Sequence, residues 1–213
     1  MTSEQPELRL PDYWQRATRA LSRQDPVMAA LIRAHPKASL FSRGDPFQTL
    51  FRSIVGQQIS VKAADSVWTR VCAGVPAMTP EGIFTTGVNA LRACGLSQRK
   101  AEYASDLAAH FVHGRIDARD WPKMSDDAVI AELTAVRGIG RWTAEMFLIF
   151  NLMRPDVFPL DDIGLQKAVW QHYFAGEKQP LSMLKAQGEA WAPWRTVATW
   201  YLWRSLDPVI VSY

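Results

Sequence analysis

Leu133 to Asp162 reads LTAVRGIGRWTAEMFLIFNLMRPDVFPLDD. A Gly-Ile-Gly turn from Gly138 to Gly140 separates two apolar runs of helical period, and an Asp-Asp pair follows twenty-two residues after Gly140. Glycine permits a tight turn and lets a ligand approach the backbone closely, so the N–H groups that open the second helix are placed to cradle a phosphate. Ile139 anchors the turn in the core. Alone, a G-x-G is weak, because many helical connections need glycine for geometry only. Arg137 and Arg141 beside the turn and the acids downstream give the stretch its meaning: a grip on a charged backbone coupled to a carboxylate.

Outward from the turn, the chain reads with helical period in segments separated by Gly, Pro, Ser and Asp. No stretch sustains the alternation that a half-buried strand needs, so the expected fold class is all-α, with about ten helices. Asp45-Pro46-Phe47-Gln48 combines an N-cap, a proline at the first helical position and a capping-box glutamine, and opens a helix through about Val55. Ser60 caps the next, in which Ala64, Val67, Trp68 and Val71 share one face and read as core. A helix near Val88 to Ala93 ends at Gly95. Ser97 caps another to about Val112, which Gly114 stops, and Ser125 opens one reaching Val136. Trp142 to Asn151 forms an apolar helix broken by Pro155. Further helices start near Asp162, Met183 and Trp194, and there are no internal repeats or low-complexity tracts.

With 213 residues and 48% apolar content the chain can bury a sizeable core. Its longest uncharged apolar run, Met146 to Phe150, is far short of the roughly 20 residues a membrane span needs, and no signal peptide is legible, so a soluble, cytosolic protein is expected. Cys72 and Cys94 lack C-x-x-C spacing and read as reduced core residues, which leaves no thiolate set for zinc or an iron–sulfur cluster. His110 and His113 read as a solvated helix end rather than a metal site. Net charge is only +3, so the placement of cations matters more than their sum.

The stretch from Leu133 to Ala144 resembles the helix-hairpin-helix of the base-excision (HhH-GPD) DNA glycosylase superfamily. Asp156 to Asp162 is similar to the loop of its 3-methyladenine DNA glycosylase II branch, in which the second acid of the pair is catalytic. The resemblance makes Asp162 the catalytic residue and Asp161 its supporting neighbour. Phe51 to Ser60 resembles the segment that delivers a wedge into the duplex, with Gln58 at the wedge position and Gln57 alongside. Trp191 to Arg195 and the helix after it resemble the branch's C-terminal segment, where Trp203 takes the place of the aromatic residue beside the bound base. The matches span about residues 45 to 205 and resemble the compact forms without an extra β-rich domain. They imply a two-lobed fold with an active-site cleft between lobes, one lobe at about 45–125 and the other built from 1–44 and 126–213.

A monofunctional DNA glycosylase is thereby implied, one that flips an alkylated purine of the 3-methyladenine or 7-methylguanine type out of double-stranded DNA and hydrolyses its N-glycosidic bond. Glutamine is long enough to fill the vacated stack, and a fixed carboxylate stabilises the oxocarbenium-like sugar. Bifunctional relatives carry a lysine nucleophile directly after the Gly-x-Gly-Arg; here that position is Trp142, so no lyase activity is expected. Substrate-pocket candidates are Trp203, Met146, Trp142 and Asp161. Met146 replaces a second pocket aromatic and Ile163 another. DNA-backbone contacts fall to Gly138, Gly140, Arg141 and Thr143, with Lys62, Arg99 and Lys100 behind them. No cofactor is required. The resemblance also implies a monovalent cation on the carbonyls of Thr134, Val136 and Ile139. A monomer is expected, cytoplasmic and nucleoid-associated in a bacterium, nuclear in a eukaryote.

Plainer readings stand beside these. Asp161 and Asp162 also suit helix capping, the two glutamines a polar helix end, and Trp203 a terminal core helix. Rival functions are a noncatalytic helix-hairpin-helix module, a glycosylase for oxidised or deaminated bases, and a metal-dependent nuclease, the last disfavoured by a single Asp pair without matching acids.

Overall fold

Side chains that cap helices recur along the chain at the boundaries between elements. The computed structural model describes residues 11–36, 40–42 and 44–206. Among them are eleven α-helices, a single 3₁₀ turn at Trp121–Lys123, and no strand. The helices are α1 (Trp14–Gln24), α2 (Pro26–Ala34), α3 (Pro46–Gly56), α4 (Val61–Gly74), α5 (Pro80–Ala93), α6 (Gln98–Val112), α7 (Asp126–Thr134), α8 (Arg141–Phe150), α9 (Ile163–Tyr173), α10 (Leu181–Glu189) and α11 (Arg195–Leu206). None among the described residues is long and apolar enough to cross a membrane.

Asp45 accepts the Gln48 N–H at 2.8 Å, and Ser60, Ser97 and Ser125 accept N–H groups three residues on. Each such cap stabilises its helix by roughly 1 kcal/mol. Two helices had no counterpart in the sequence reading, α1 and α2. The signal for α2 was present: Asp25-Pro26 repeats the Asp-Pro opening of α3, and Asp25 accepts from Val27 and Met28. In α5, Gly87 breaks the helix at φ 73°, so the segment is two shorter helices rather than the single one expected near Val88.

The described residues form two compact units, one of residues 44–147 and one of 11–36 and 40–42 with 148–206. The expected division put 126–147 with the C-terminal helices. The observed one keeps both the wedge segment and the hairpin in the first unit, and the change of unit falls within α8.

In the 44–147 unit, α3 buries Phe47, Leu50, Phe51, Ile54 and Val55, at the i, i+3, i+4, i+7, i+8 spacing of one helix face. Edge-to-face rings run from Phe47 to Phe111 (5.4 Å) to Trp121 (6.2 Å) to Phe147 (5.0 Å), tying α3, α6, the 3₁₀ turn and α8 together. Such pairs are worth about 0.5–1.5 kcal/mol each beyond the area they bury. Three expectations are corrected here. On α4 only Val71 of the expected core face is fully buried, with Trp68 half-buried against Phe51. Cys72 is exposed on the same helix, whereas Cys94 is buried. His110, expected at a solvated end, is buried with Nδ1 2.9 Å from the Asp106 carbonyl, because the α6 face it occupies also carries Leu107 and Ala104.

In the other unit, Trp14 on α1 packs edge-on against Trp200 of α11, and Trp191 lies against Tyr173 and Phe158. The Asp25 carboxylate joins three elements, capping α2 through Oδ1 while Oδ2 accepts from the Tyr173 hydroxyl (2.8 Å) and the Trp191 indole (3.0 Å). Burial, first, and that carboxylate together push the Tyr173 hydroxyl's pKa well above its ordinary value.

Candidate active site

The loop from Asn151 to Asp162 leaves α8 and enters α9, and Asp162 is the N-cap of α9. Its Oδ1 accepts the Leu165 backbone N–H at 2.7 Å and the Trp203 indole N–H at 2.8 Å. Two donors from different elements on one oxygen fix both the position and the rotation of the carboxylate, which is only 7% exposed. Asp161 beside it is exposed. Trp203 is half-buried and stacks on Phe150 with rings 13° from parallel and centroids 5.9 Å apart. Gly164 completes the arrangement: a Cβ there would sit 3.1 Å from Asp162 Oδ1 and 3.6 Å from the Trp203 ring, tight enough to disturb both. Ile163, the next residue after the acid, is 66% exposed.

That loop is held at its middle by the start of α11. Arg195 makes a two-pronged ion pair with Asp156, Nε to Oδ1 and Nη2 to Oδ2, both at 2.8 Å. Thr196 accepts the Val157 N–H at 2.9 Å and donates to the Arg154 carbonyl at 2.6 Å. Thus α11 grips the loop at its first turn and orients Asp162 through Trp203 near its last. Sequence reasoning missed Phe150, Gly164 and the roles of Arg195 and Thr196. Phe150 was visible as the third member of an i, i+4, i+8 stripe with Trp142 and Met146 on α8. The Arg195 and Thr196 contacts carried no local signal.

In the 44–147 unit, the hairpin turn runs between α7 and α8. Gly138 sits at φ 86°, and a Cβ there would fall 2.1 Å from the Tyr103 ring, so both conformation and contact require glycine. Around Gly140, by contrast, a Cβ would meet open space, which is what close approach of an external group demands. Ala144 N–H bonds the Gly140 carbonyl, so the first-turn N–H groups of α8 have no carbonyl within the helix. Arg141 is exposed and pairs through Nε with buried Glu145 at 3.0 Å, and Thr143 is half-buried in the same turn. Arg137 donates its N–H to Asp106 and reaches Glu102 at 3.5 Å.

Gln57 donates its amide to the Gly138 carbonyl at 2.8 Å, while Gln58 is exposed at φ 57° on the turn between α3 and α4. Lys62 and Arg99 are exposed. Lys100 is engaged differently from its expected role: its ammonium donates to the Val55 carbonyl at 2.7 Å, closing the end of α3, and burial lowers its pKa. Trp142 is 37% exposed and Met146 6%. Among the described residues no three His, Cys, Asp or Glu side chains converge as a metal site. The carbonyls of Thr134 and Ile139 accept no backbone N–H within the described turn, and that of Val136 accepts only Ile139's at 3.1 Å, so their lone pairs suit a hard cation.

A glycine-turned helical hairpin and, after it, an Asp held at the cap of the next helix put helix-start backbone N–H groups and a fixed carboxylate in one chain. A family model described as the HhH-GPD superfamily base excision DNA repair protein matches residues 51–193, and the chain belongs to that superfamily. It is similar to DNA-3-methyladenine glycosylase 1 of Schizosaccharomyces pombe, 35% identical over 166 residues that cover 76% of this chain and 72% of the relative. Among solved structures it is similar to a DNA-3-methyladenine glycosidase from Bacillus halodurans, with a TM-score of 0.84, 35% identity and coverage of 97% and 92% of the two chains. A second likeness is to the Schizosaccharomyces pombe 3-methyladenine DNA glycosylase in complex with abasic DNA, with a TM-score of 0.76, 30% identity and coverage of 93% and 100%.

Proposed function

We propose that the protein is a monofunctional DNA glycosylase that excises alkylated purines, of the 3-methyladenine and 7-methylguanine type, from double-stranded DNA. The observation that carries the reading is the Asp162 carboxylate, held on one oxygen by the Leu165 N–H and the Trp203 indole. The names of the relatives support the same substrate class. Such a reaction breaks the C1′–N bond, and the electron pair leaves with the base. An N3- or N7-alkylated purine already carries positive charge, so it departs neutral without strong acid catalysis. The positive charge passes to the sugar, where the carboxylate of Asp162 stabilises it until water adds at C1′ and loses its proton.

Selection of a cationic base then rests on stacking. The Trp203 face, backed by Phe150, attracts a cationic ring by cation–π interaction worth about 0.5–2 kcal/mol. Gln58 fills the vacated stack, while the Gly138–Thr143 backbone and Arg141 hold phosphate. The carbonyls of Thr134, Val136 and Ile139 would hold a monovalent cation that adds positive charge beside that phosphate. Trp142 stands where a lysine nucleophile would allow Schiff-base chemistry, so the product is an abasic site without strand cleavage. The protein acts wherever the cell keeps its DNA.

Release of 3-methyladenine and 7-methylguanine from alkylated duplex by wild type and by Asp162→Asn tests the reading. Wild type is expected to release both, and the variant at least about a hundredfold more slowly, the scale of losing one preorganised electrostatic contact. An inactive wild type would favour a noncatalytic DNA-binding module instead, and a variant with full activity would overturn the role of Asp162. Competition with duplexes containing oxidised or deaminated bases separates the remaining rival.

A further inference from the structure

Lys100, Tyr103 and Asp106 lie along α6, and together they hold two other segments. Lys100 closes the end of α3 at the Val55 carbonyl, Tyr103 packs against Gly138, and Asp106 accepts the Arg137 N–H at 2.8 Å. The hairpin and the end of α3 are therefore both referenced to one helix. Between them the turn from Gly56 to Ser60 has only long backbone bonds of its own, Gln57 N–H to Ile54 at 3.4 Å and Ile59 N–H to Gly56 at 3.5 Å. The 2.8 Å bond from the Gln57 amide to the Gly138 carbonyl is much shorter than either and closes the ring from α6 through α3 to the hairpin. The next residue, Gln58, stands exposed at positive φ with its direction set by that turn.

We propose that Gln57 does not enter the duplex. It is a positioning residue, which fixes the inserted side chain of Gln58 relative to the phosphate-gripping hairpin through its bond to Gly138. This rests on the reading of Gln58 as the inserted residue. The chemistry needs a neutral amide, because the acceptor is a carbonyl oxygen: alanine gives no donor, and glutamate would turn an anionic oxygen toward it. When the hairpin seats on phosphate, the Gly138 carbonyl moves with it and carries the turn to the same register at every encounter.

The test uses a duplex with 2-aminopurine at the flipped position, read by fluorescence, with wild type, Gln57→Ala, Gln57→Glu, Gln58→Ala and the Gln57→Ala/Gln58→Ala double variant. Affinity for undamaged duplex and melting temperature are measured on the same samples. Both Gln57 variants are expected to flip up to about tenfold less, the scale of one lost hydrogen bond, and Gln57→Ala to keep undamaged-duplex affinity within about twofold with Tm lower by no more than about 5 °C. In the Gln58→Ala background the Gln57→Ala substitution is expected to have no further effect, because its influence passes through Gln58. Additive losses, undiminished flipping in Gln57→Ala, or a loss of undamaged-duplex affinity equal to the loss of flipping would each overturn the proposal. If Gln58→Ala alone flips normally, the inserted-residue reading falls and takes this one with it. If wild type flips but releases no alkylated base, only the proposed activity falls.

Discussion

Asp162 serves two purposes through one oxygen, capping α9 and receiving the Trp203 indole. The two are separable by substitution. Asparagine caps a helix as well as aspartate, so Asp162→Asn is expected to keep the melting temperature while losing excision. Asp162→Ala loses about 1 kcal/mol of stability as well. Trp203→Phe keeps a ring for stacking and removes the N–H. We expect single-turnover excision to fall about tenfold, in line with the roughly 1.5 kcal/mol of a hydrogen bond to a charged group, while the preference for cationic over neutral lesions is retained. A variant with unchanged excision would reduce the indole bond to a packing detail. The Asp pair and the terminal tryptophan were legible as candidates. That Trp203 donates to Asp162 across 41 residues was not, because no local pattern encodes which distant side chain turns toward a carboxylate.

Between α8 and α9 the loop depends on α11. Thr196 satisfies the buried Val157 N–H and the Arg154 carbonyl at once, so Thr196→Val leaves both without their partner. The expected cost is about 2 kcal/mol, a fall in Tm of roughly 4–8 °C by thermal melting, and excision falls with it as Asp162 loses its fixed approach. The hairpin offers a sharper contrast between two glycines. Gly138→Ala must adopt a left-handed conformation and strike Tyr103, which costs about 2 kcal/mol or more and lowers Tm measurably. Gly140→Ala meets open space, so stability should change by less than about 1 kcal/mol while affinity for duplex DNA drops. Equal effects of the two substitutions in melting and in binding would contradict this division of labour. Helices and their caps were read well because capping bonds join residues three apart. α1 and α2 were passed over even though Asp25-Pro26 carried the same Asp-Pro signal as Asp45-Pro46.

Over the whole molecule, a net charge of +3 gives only a weak overall attraction to DNA, so binding must come from where cations and N–H groups are placed. Arg141 is exposed at the hairpin, whereas Lys100 is taken up by the Val55 carbonyl. Arg141→Ala is accordingly expected to reduce the slope of log affinity against log salt by about 1, measured by fluorescence anisotropy on undamaged duplex. Lys100→Met should leave that slope as it is and lower Tm instead. A shallower slope for the Lys100 variant would return that residue to the DNA contacts.

The sequence by itself determined the all-α class, most of the helices with their caps, the hairpin and the position of Asp162, because hydrophobic period and capping depend on residues within a few positions of one another. Only the tertiary structure decided which partners the functional side chains take: Gln57 with Gly138, Lys100 with Val55, Trp203 with Asp162, Arg195 with Asp156. These pairs are separated by 39 to 81 residues, and their choice follows from how helices pack and which polar groups that packing leaves to be satisfied. The same packing set the Lys100 ammonium on the Val55 carbonyl and buried His110, two outcomes that hydrophobic period and capping do not encode.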